Sequence, residues 1–202
     1  SHMSPASSSM MALIEAWEPG SFGGRAVAEI IYGKANPSGK LPVTIPRHVG
    51  QLQMVYNHKP SMYFHPYAIG ESTPLFPFGY GLSYTRYAYS NLRLSQERIP
   101  GDGKVTVSVD VKNCGDRDGE EIVQLYIRDV AASVTRPVKE LKGFRKIALR
   151  KGETQTVTFE ISEQEIAFLN TDFVRRPEAG EFRLWIAQSS DDDSRPATFR
   201  YE

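Results

Sequence analysis

The sequence predicts a mainly β protein: a seven-stranded immunoglobulin-like sandwich preceded by a partial α/β segment and an aromatic-rich linker. Two observations lead to this fold class. From residue 87 onward, apolar and polar residues alternate with a period of two, which is typical of strands with one buried face. Before that point the chain has one strand-plus-helix pattern and then a stretch interrupted by prolines.

Residues 10–46 have the pattern of one β-strand followed by one α-helix. Met10–Trp17 is predicted to be a short apolar strand. The helix that follows is expected to end near Tyr32, because Gly33 suits the position after a helix. A single such unit cannot cover its own apolar faces, so this chain, another copy or a further polypeptide must cover them. The apolar face of the predicted helix carries Val27, Ile30 and Ile31.

Residues 47–85 are predicted to be an irregular linker, because four prolines interrupt any regular element after residue 59. A long irregular segment inside a compact chain usually has a role. Two roles fit its aromatic side chains: packing two domains together, and stacking on sugar rings. The aromatic residues concerned are Tyr56, Tyr63, Phe64, Tyr67, Phe76, Phe78, Tyr80 and Tyr84.

Residues 86–202 contain seven short strands separated by turn sequences, which indicates an immunoglobulin-like sandwich. Cys114 is the only cysteine, so an intrachain disulfide is excluded and the domain resembles a fibronectin type III domain more than an antibody domain. The predicted strands are Tyr87–Ser95, Val105–Val111, Val123–Ile127, Leu141–Leu149, Val157–Ile161, Phe182–Ile186 and Ala197–Tyr201.

The composition argues against nucleic acid and membrane partners. Lys plus Arg and Asp plus Glu are 24 each, so no net charge attracts polyanions or anionic lipid. Residues 1–9 are predicted to be a disordered tag without the features of a signal peptide, and the apolar run Met10–Ile14 is too short to span a bilayer. The native compartment stays unknown.

Three segments together carry a family resemblance. Glu15–Thr44 resembles the last βα unit of the α/β sandwich domain of family 3 glycoside hydrolases. Pro74–Thr85 resembles the linker that enters the fibronectin type III-like domain of that family, and Pro137–Phe144 is similar to a loop and strand within it. The chain is therefore identified as the C-terminal part of a β-glucosidase-like enzyme.

The resemblance implies a parent enzyme that hydrolyses terminal non-reducing β-D-glucosyl residues with retention. That reaction requires a carboxylate nucleophile and a carboxylic acid roughly 5 Å apart. In the family, the nucleophile is an Asp of an N-terminal barrel in a Ser-Asp-Trp context, and the acid is commonly a Glu of the upstream α/β domain. Neither context occurs in this sequence. We therefore assign no catalytic residue, cofactor or metal, and expect the chain alone to be inactive.

Other carboxylates do not form a convincing pair. Glu120 and Glu121 are neighbours on a predicted strand and should point to opposite faces. Asp116 and Asp118 lie in a glycine-flanked turn without apolar surroundings to raise a pKa. The acidic run Asp191–Asp193 is expected to be a solvated loop.

Two residues are candidates for a substrate cleft. In the family the loop before the helix lies near the active site, so Glu18 and Phe22 are expected to border a leaving-group subsite. The glycines of this loop, Pro19–Gly24, are better explained by a tight connection than by an anion site, because no phosphate-binding fingerprint follows.

Histidine spacing does not predict a metal site. His48, His58 and His65 are ten and seven residues apart in the linker, which matches no compact metal motif. We expect these loop histidines to bond to the backbone.

Three functions compete at this point. The first is a non-catalytic part that serves docking and stability, with the missing barrel and α/β domain of the parent, or a second copy, as partner. The second is a carbohydrate-binding module that uses Trp185, Tyr63 or Tyr67. The third is one chain of a split or cleaved hydrolase. Parents of this family are often periplasmic or secreted.

Overall fold

The computed structural model describes residues 12–51, 53–60 and 71–202. The predicted tag at residues 1–9 lies outside this range, as do Tyr63, Phe64, His65 and Tyr67 of the linker. The described chain is mainly β, in agreement with the predicted fold class. Among the described residues, no helix is long and apolar enough to cross a membrane.

Two sheets form the sandwich, and all seven predicted strands are present. The strands of these sheets are β1 Tyr87–Leu94, β2 Arg98–Ile99, β3 Val105–Asn113, β4 Gly119–Asp129, β5 Glu140–Leu149, β6 Thr154–Ile161, β9 Gly180–Ala187 and β10 Ala197–Tyr201. The smaller sheet has the order β1-β3-β6, and the larger has the order β2-β10-β9-β4-β5. Neighbours are antiparallel except β10 and β2.

A short helix and a small hairpin connect β6 to β9. Helix α2, Glu163–Ile166, begins at Ser162, which forms a capping box with Glu165. The hairpin consists of β7, Phe168–Leu169, and β8, Arg175–Arg176. Its turn exposes Phe173, which is 82% accessible.

The core lies between the two sheets, because alternate residues of each strand point inward. In β3 the four valines are buried, while the residues between them face outward. On the inner face of the five-stranded sheet, Phe182 of β9 stacks on its cross-strand neighbour Phe199 of β10 with ring centroids 5.2 Å apart. Each fully buried side chain of this size stabilises the fold by about 1.5–3 kcal/mol.

The N-terminal part contains helix α1, Gly23–Ile31, as expected. Gly33 follows the helix with φ of +69°, a left-handed conformation that glycine adopts without strain. The strand predicted for Met10–Trp17 is wrong over residues 12–17, which form no ladder. The physical reason is that a strand of a parallel sheet requires neighbouring strands, and no described residue pairs with this segment.

The linker forms a two-armed ribbon, which we define as residues 41–51, 53–60 and 71–84. Its arms run antiparallel: the Leu41 amide donates to the Tyr80 carbonyl at 2.8 Å, and the Gly79 amide donates to the Leu41 carbonyl at 2.8 Å. Ile45 and Phe76 form a β-bridge further along. The ribbon is therefore held by backbone bonds despite its prolines.

The ribbon covers the outer face of the five-stranded sheet. Tyr56 stacks on Phe78 with centroids 4.2 Å apart and meets the edge of Tyr126 at 6.0 Å. Gln124 of β4 donates its side-chain amide to the Gly79 carbonyl at 3.1 Å. Strands β4 and β9 are consequently buried on both faces. Tyr56 and Phe78 of the linker therefore pack on the sandwich, while the joining of two domains by linker aromatics stays a prediction.

Candidate interdomain joint and docking segment

The connection between α1 and the sandwich is a compact joint, which we define as residues 33–40, 81–89 and 113–121. Asn36 is its hub. The Asn36 side-chain oxygen accepts from the Tyr84 amide at 2.8 Å and from the Ser83 hydroxyl at 2.9 Å. Its amide nitrogen donates to the Asp118 carbonyl at 3.0 Å. One side chain thus ties together the segment after α1, the end of the ribbon and the turn before β4.

Two glycines allow the joint to close. A Cβ on Gly119 would lie 2.7 Å from the Asn36 amide nitrogen, and a Cβ on Gly81 would lie 2.2 Å from the Gly39 carbonyl oxygen. Both distances are shorter than real contacts, so any larger residue would push the segments apart.

A buried ion pair lies inside the joint. The Lys40 ammonium is 3.2 Å from Glu121 Oε1, and the two side chains are only 9% and 2% exposed. Lys40 also donates to the Gly81 carbonyl at 3.2 Å, and the Tyr89 hydroxyl donates to Glu121 at 3.0 Å. Burial raises the pKa of Glu121, an effect that Lys40 opposes, and burial together with the charge of Glu121 raises the pKa of Tyr89.

Glu121 does not have the setting of a catalytic acid. A raised pKa is a property of acid catalysts, but Glu121 is enclosed and its oxygens bind Lys40 and Tyr89. Its neighbour Glu120 points to the opposite face, as predicted, and binds Lys146 at 2.7 Å. A hydrogen bond from Lys151 lowers the pKa of Asp116. Among the described residues we therefore find no second carboxylate placed to act with Glu121.

Helix α1 contacts the joint near its C-terminal end. The Tyr84 hydroxyl donates to the Ile30 carbonyl at 2.7 Å. The guanidinium of Arg117 lies 5.5 Å from the Tyr84 ring centroid and reaches the Gly33 carbonyl at 3.5 Å. None of these three contacts involves the beginning of α1 or the residues before it.

The part of the chain that precedes the joint carries several exposed apolar side chains. We call residues 12–32 the docking segment. Six of its large apolar residues are 42–81% exposed, whereas those of the sandwich core are nearly inaccessible. The exposed residues are Leu13, Ile14, Trp17, Phe22, Ile31 and Tyr32.

Both candidate cleft residues lie in the docking segment. Glu18 is exposed in the loop before α1, and Phe22 occupies the N-cap position with 80% of its surface exposed. The structure brings neither residue into the joint. Their role at a substrate cleft stays a prediction.

The histidines behave as expected where they are described. His48 accepts a hydrogen bond from the Gly50 amide at 3.2 Å, and His58 Nδ1 lies 2.8 Å from the Lys59 carbonyl oxygen. The backbone bonding of these two residues is confirmed. Within residues 12–51, 53–60 and 71–202, no group of three His, Cys, Asp or Glu side chains is placed to hold a metal ion.

Trp185 points outward from the sandwich but is covered. The Lys139 ammonium lies 4.6 Å from its ring centroid, and Trp185 Nε1 donates to the Ser194 carbonyl at 3.0 Å. With Tyr56 and Tyr126 it belongs to the apolar cluster beneath the ribbon. Trp185 therefore does not present a free face on which a sugar could stack.

The joint was missed by reasoning from sequence, although one signal was present. Glu121 is in phase with Val123 and Leu125 in the period-two pattern of β4, so it must face inward and needs a partner. The sequence does not show that the partner is Lys40, 81 residues earlier in the chain. Two of the resemblance segments, Glu15–Thr44 and Pro74–Thr85, meet in this joint.

Comparison with known proteins finds two matching domain families along the chain. Residues 1–84 match the glycosyl hydrolase family 3 C-terminal domain, and residues 121–190 match the fibronectin type III-like domain. The chain belongs to glycosyl hydrolase family 3 and corresponds to the C-terminal part of its members. The family resemblance of the three sequence segments is thereby confirmed.

Similar proteins include a periplasmic β-glucosidase of Salmonella typhimurium, 44% identical over 89% of this chain and 25% of the relative. A putative β-xylosidase of Formosa agariphila is 43% identical over 90% of this chain and 24% of the relative. Among solved structures, a β-glucosidase from Erythrobacter marinus has a TM-score of 0.88 and 42% identity, covering 93% of this chain and 25% of that chain. This family 3 chain thus spans about a quarter of the length of the relatives it matches.

Proposed function

We propose that this chain is the non-catalytic C-terminal part of a β-glucosidase-type hydrolase and that it serves docking and stability. In this proposal the docking segment packs on the barrel and α/β domain of the parent enzyme. The sandwich, the ribbon and the joint hold the segment in place. The parent would hydrolyse terminal β-linked sugars, an activity supported by the β-glucosidases and β-xylosidase among the relatives.

One observation carries the proposal: the exposed apolar side chains of the described chain are concentrated in residues 12–32. Six large apolar residues there are exposed within 21 positions, whereas residues 86–202 expose only four: Phe144, Leu169, Phe173 and Val174. Soluble proteins seldom leave so much apolar surface uncovered unless it contacts a partner. The relatives contain about three times as much further polypeptide as this chain covers, which supplies a partner of suitable size.

Glu18 and Phe22 belong to the same proposal. If the docking segment packs on the parent α/β domain, the loop before α1 is placed where the family resemblance expects the active-site cleft. Phe22 would then offer an apolar surface to a leaving group and Glu18 an acceptor for its hydroxyls.

A chimera tests the proposal. The last quarter of the Salmonella β-glucosidase would be replaced by this chain, and hydrolysis of a chromogenic β-glucoside would be measured. We expect an active chimera. Because both changes remove apolar surface that docks, Phe22→Ser with Tyr32→Ser should lower its activity at least tenfold and reduce its thermal midpoint.

The matched control is Phe173→Ser, which removes an equally exposed phenylalanine from the β7–β8 hairpin. This control should leave the activity of the chimera within about twofold. Equal losses in the two variants would contradict docking through residues 12–32. Turnover by the 22.7 kDa chain alone, checked by intact mass, would contradict the non-catalytic assignment.

A further inference from the structure

The Lys40–Glu121 ion pair has a feature that ordinary stabilising contacts lack. Both charges are almost fully removed from water, and each is the only opposite charge that the other contacts in the described structure. Desolvation makes such a pair costly, so replacing it by apolar residues of similar size often leaves stability unchanged or raises it. Stability alone therefore does not explain why an ion pair occupies this position.

What a buried ion pair does enforce is a unique arrangement. If the segment after α1 packed on the sandwich in another register, Glu121 would lose its one cationic contact within the described structure. An uncompensated buried charge is strongly unfavourable, whereas an apolar contact tolerates sliding. The pair thus penalises every alternative placement of residues 33–40 while it allows the observed one.

The pair is well placed to act on the docking segment. Lys40 is nine residues after the end of α1, and Asn36 between them binds both the ribbon and the turn before β4. On the other side, Glu121 belongs to β4, the strand that is buried on both faces. A rigid strand is therefore linked through Glu121, Lys40 and Asn36 to the helix.

We infer that Lys40 and Glu121 are positioning residues that fix the orientation of the docking segment relative to the sandwich. The inference rests on the proposed function for its biological meaning, since an oriented docking segment matters only if it docks. Its physical content is independent of any activity: without the pair, α1 adopts more than one orientation on a sandwich that stays folded.

A distance measurement on the chain itself tests the inference. Nitroxide labels would be attached at Ala28→Cys in α1 and Asp102→Cys in the turn before β3, in a Cys114→Ser background. Double electron–electron resonance spectroscopy then gives the distribution of distances between the two labels. We expect one narrow distribution in the parent chain. In Lys40→Met with Glu121→Leu, we expect a distribution at least twice as wide, with an unchanged or higher urea midpoint.

The control replaces an exposed ion pair of β9 that lies outside the joint, Arg183→Met with Glu181→Leu, whose side chains are 44% and 37% exposed. It should leave the width of the distribution unchanged. An unchanged width in the Lys40 and Glu121 variant would overturn the inference. So would loss of the cooperative unfolding transition, because the pair would then be required for the fold and not for orientation.

The chimera separates failure of this inference from failure of the proposed function. If the docking proposal is wrong, the Phe22 and Tyr32 variants keep full activity, and the distance measurement still decides the inference. If both proposals hold, Lys40→Met with Glu121→Leu lowers the activity of the chimera severalfold, while the sandwich keeps its urea midpoint.

Discussion

Phe182 and Phe22 are the same residue type in two regions of opposite character. Phe182, in β9, is 1% exposed, whereas Phe22, at the start of α1, is 80% exposed. The sandwich encloses its apolar residues because two sheets cover each other and the ribbon covers one outer face. The docking segment contacts the joint near the end of α1, and six of its large apolar residues stay exposed.

This difference shows that an amphipathic pattern predicts a helix or strand, but not which part of the protein buries its apolar face. Both regions carry apolar residues at the spacing of their secondary structure. Only the region with a second layer in the same chain becomes a closed core. The following substitutions test whether the two regions differ in energy as they do in burial.

The largest difference is expected between Phe182→Ala and Phe22→Ala. The first removes a buried ring that stacks on Phe199 and should lower the free energy of unfolding by about 3–5 kcal/mol. The second removes an exposed ring and should change it by less than about 0.5 kcal/mol. Urea unfolding followed by tryptophan fluorescence measures both. Similar losses would show that the docking segment is packed in solution.

A pH dependence should appear only in the sandwich. Burial raises the pKa of Asp129 to about 6, an effect that the Arg136 guanidinium 3.9 Å away partly offsets. Between about pH 4 and pH 6 the folded chain therefore holds a proton that the unfolded chain has released. By linkage, this residue lowers stability as pH rises through that window.

Asp129→Asn removes this proton linkage. The difference in free energy of unfolding, Asp129→Asn minus parent chain, should therefore increase from pH 4 to pH 7 by up to about 3 kcal/mol. The measurement is a pair of urea titrations at several pH values, so that other carboxyl groups cancel in the difference. A difference that does not vary with pH would show that Asp129 titrates normally.

Two tyrosine hydroxyls sharpen the comparison. The buried Tyr126 hydroxyl donates to Gln124 at 2.6 Å, so Tyr126→Phe leaves a buried acceptor with one partner fewer and should cost about 1–3 kcal/mol. The Tyr84 hydroxyl makes a bond of similar length to α1, but Tyr84 is partly exposed and water can replace the lost group. Tyr84→Phe should therefore cost about 0.5 kcal/mol or less in the same unfolding assay.

The substitution with the smallest effect on stability should still change dye binding and self-association. Phe22→Ser should leave the urea midpoint of the isolated chain nearly unchanged, because the ring makes few contacts. It should nevertheless reduce binding of an environment-sensitive apolar dye and any self-association seen in sedimentation. Tyr32→Ser should act in the same direction. An unaltered dye signal in both variants would argue that the docking segment is not an accessible apolar surface.

The sandwich could be predicted from sequence because its signal is local. Alternation in β3 and β9 identifies the strands and the residues that enter the core. Outer-face residues such as Gln124 and Tyr126 are compatible with solvent, so the pattern does not reveal that the ribbon buries them. Cover supplied by a distant irregular segment leaves no periodic signal.

The joint depends on contacts between residues far apart in sequence. Asn36 meets Tyr84 and Asp118, and Lys40 meets Glu121, across separations of 48 to 82 residues. Each residue is unremarkable in its own stretch, since asparagine after a helix predicts a turn and lysine predicts a surface. The strand predicted at residues 12–17 is wrong because an apolar run becomes a strand only beside other strands, and this requirement is also not visible in the local sequence.

The ribbon also decides where this protein can be divided. A chain shortened to begin at Tyr87 would keep every strand of the sandwich and satisfy its inner core. It would nevertheless lose the cover over Tyr126, Trp185 and Ala187, and with it the hydrogen-bond acceptor that Gly79 provides for Gln124. Such a piece would contain every strand of the sandwich, but it would expose an apolar surface and tend to associate with itself. The unit that can be moved between proteins therefore begins no later than Lys40, so that it keeps both the ribbon and the partner of the buried Glu121.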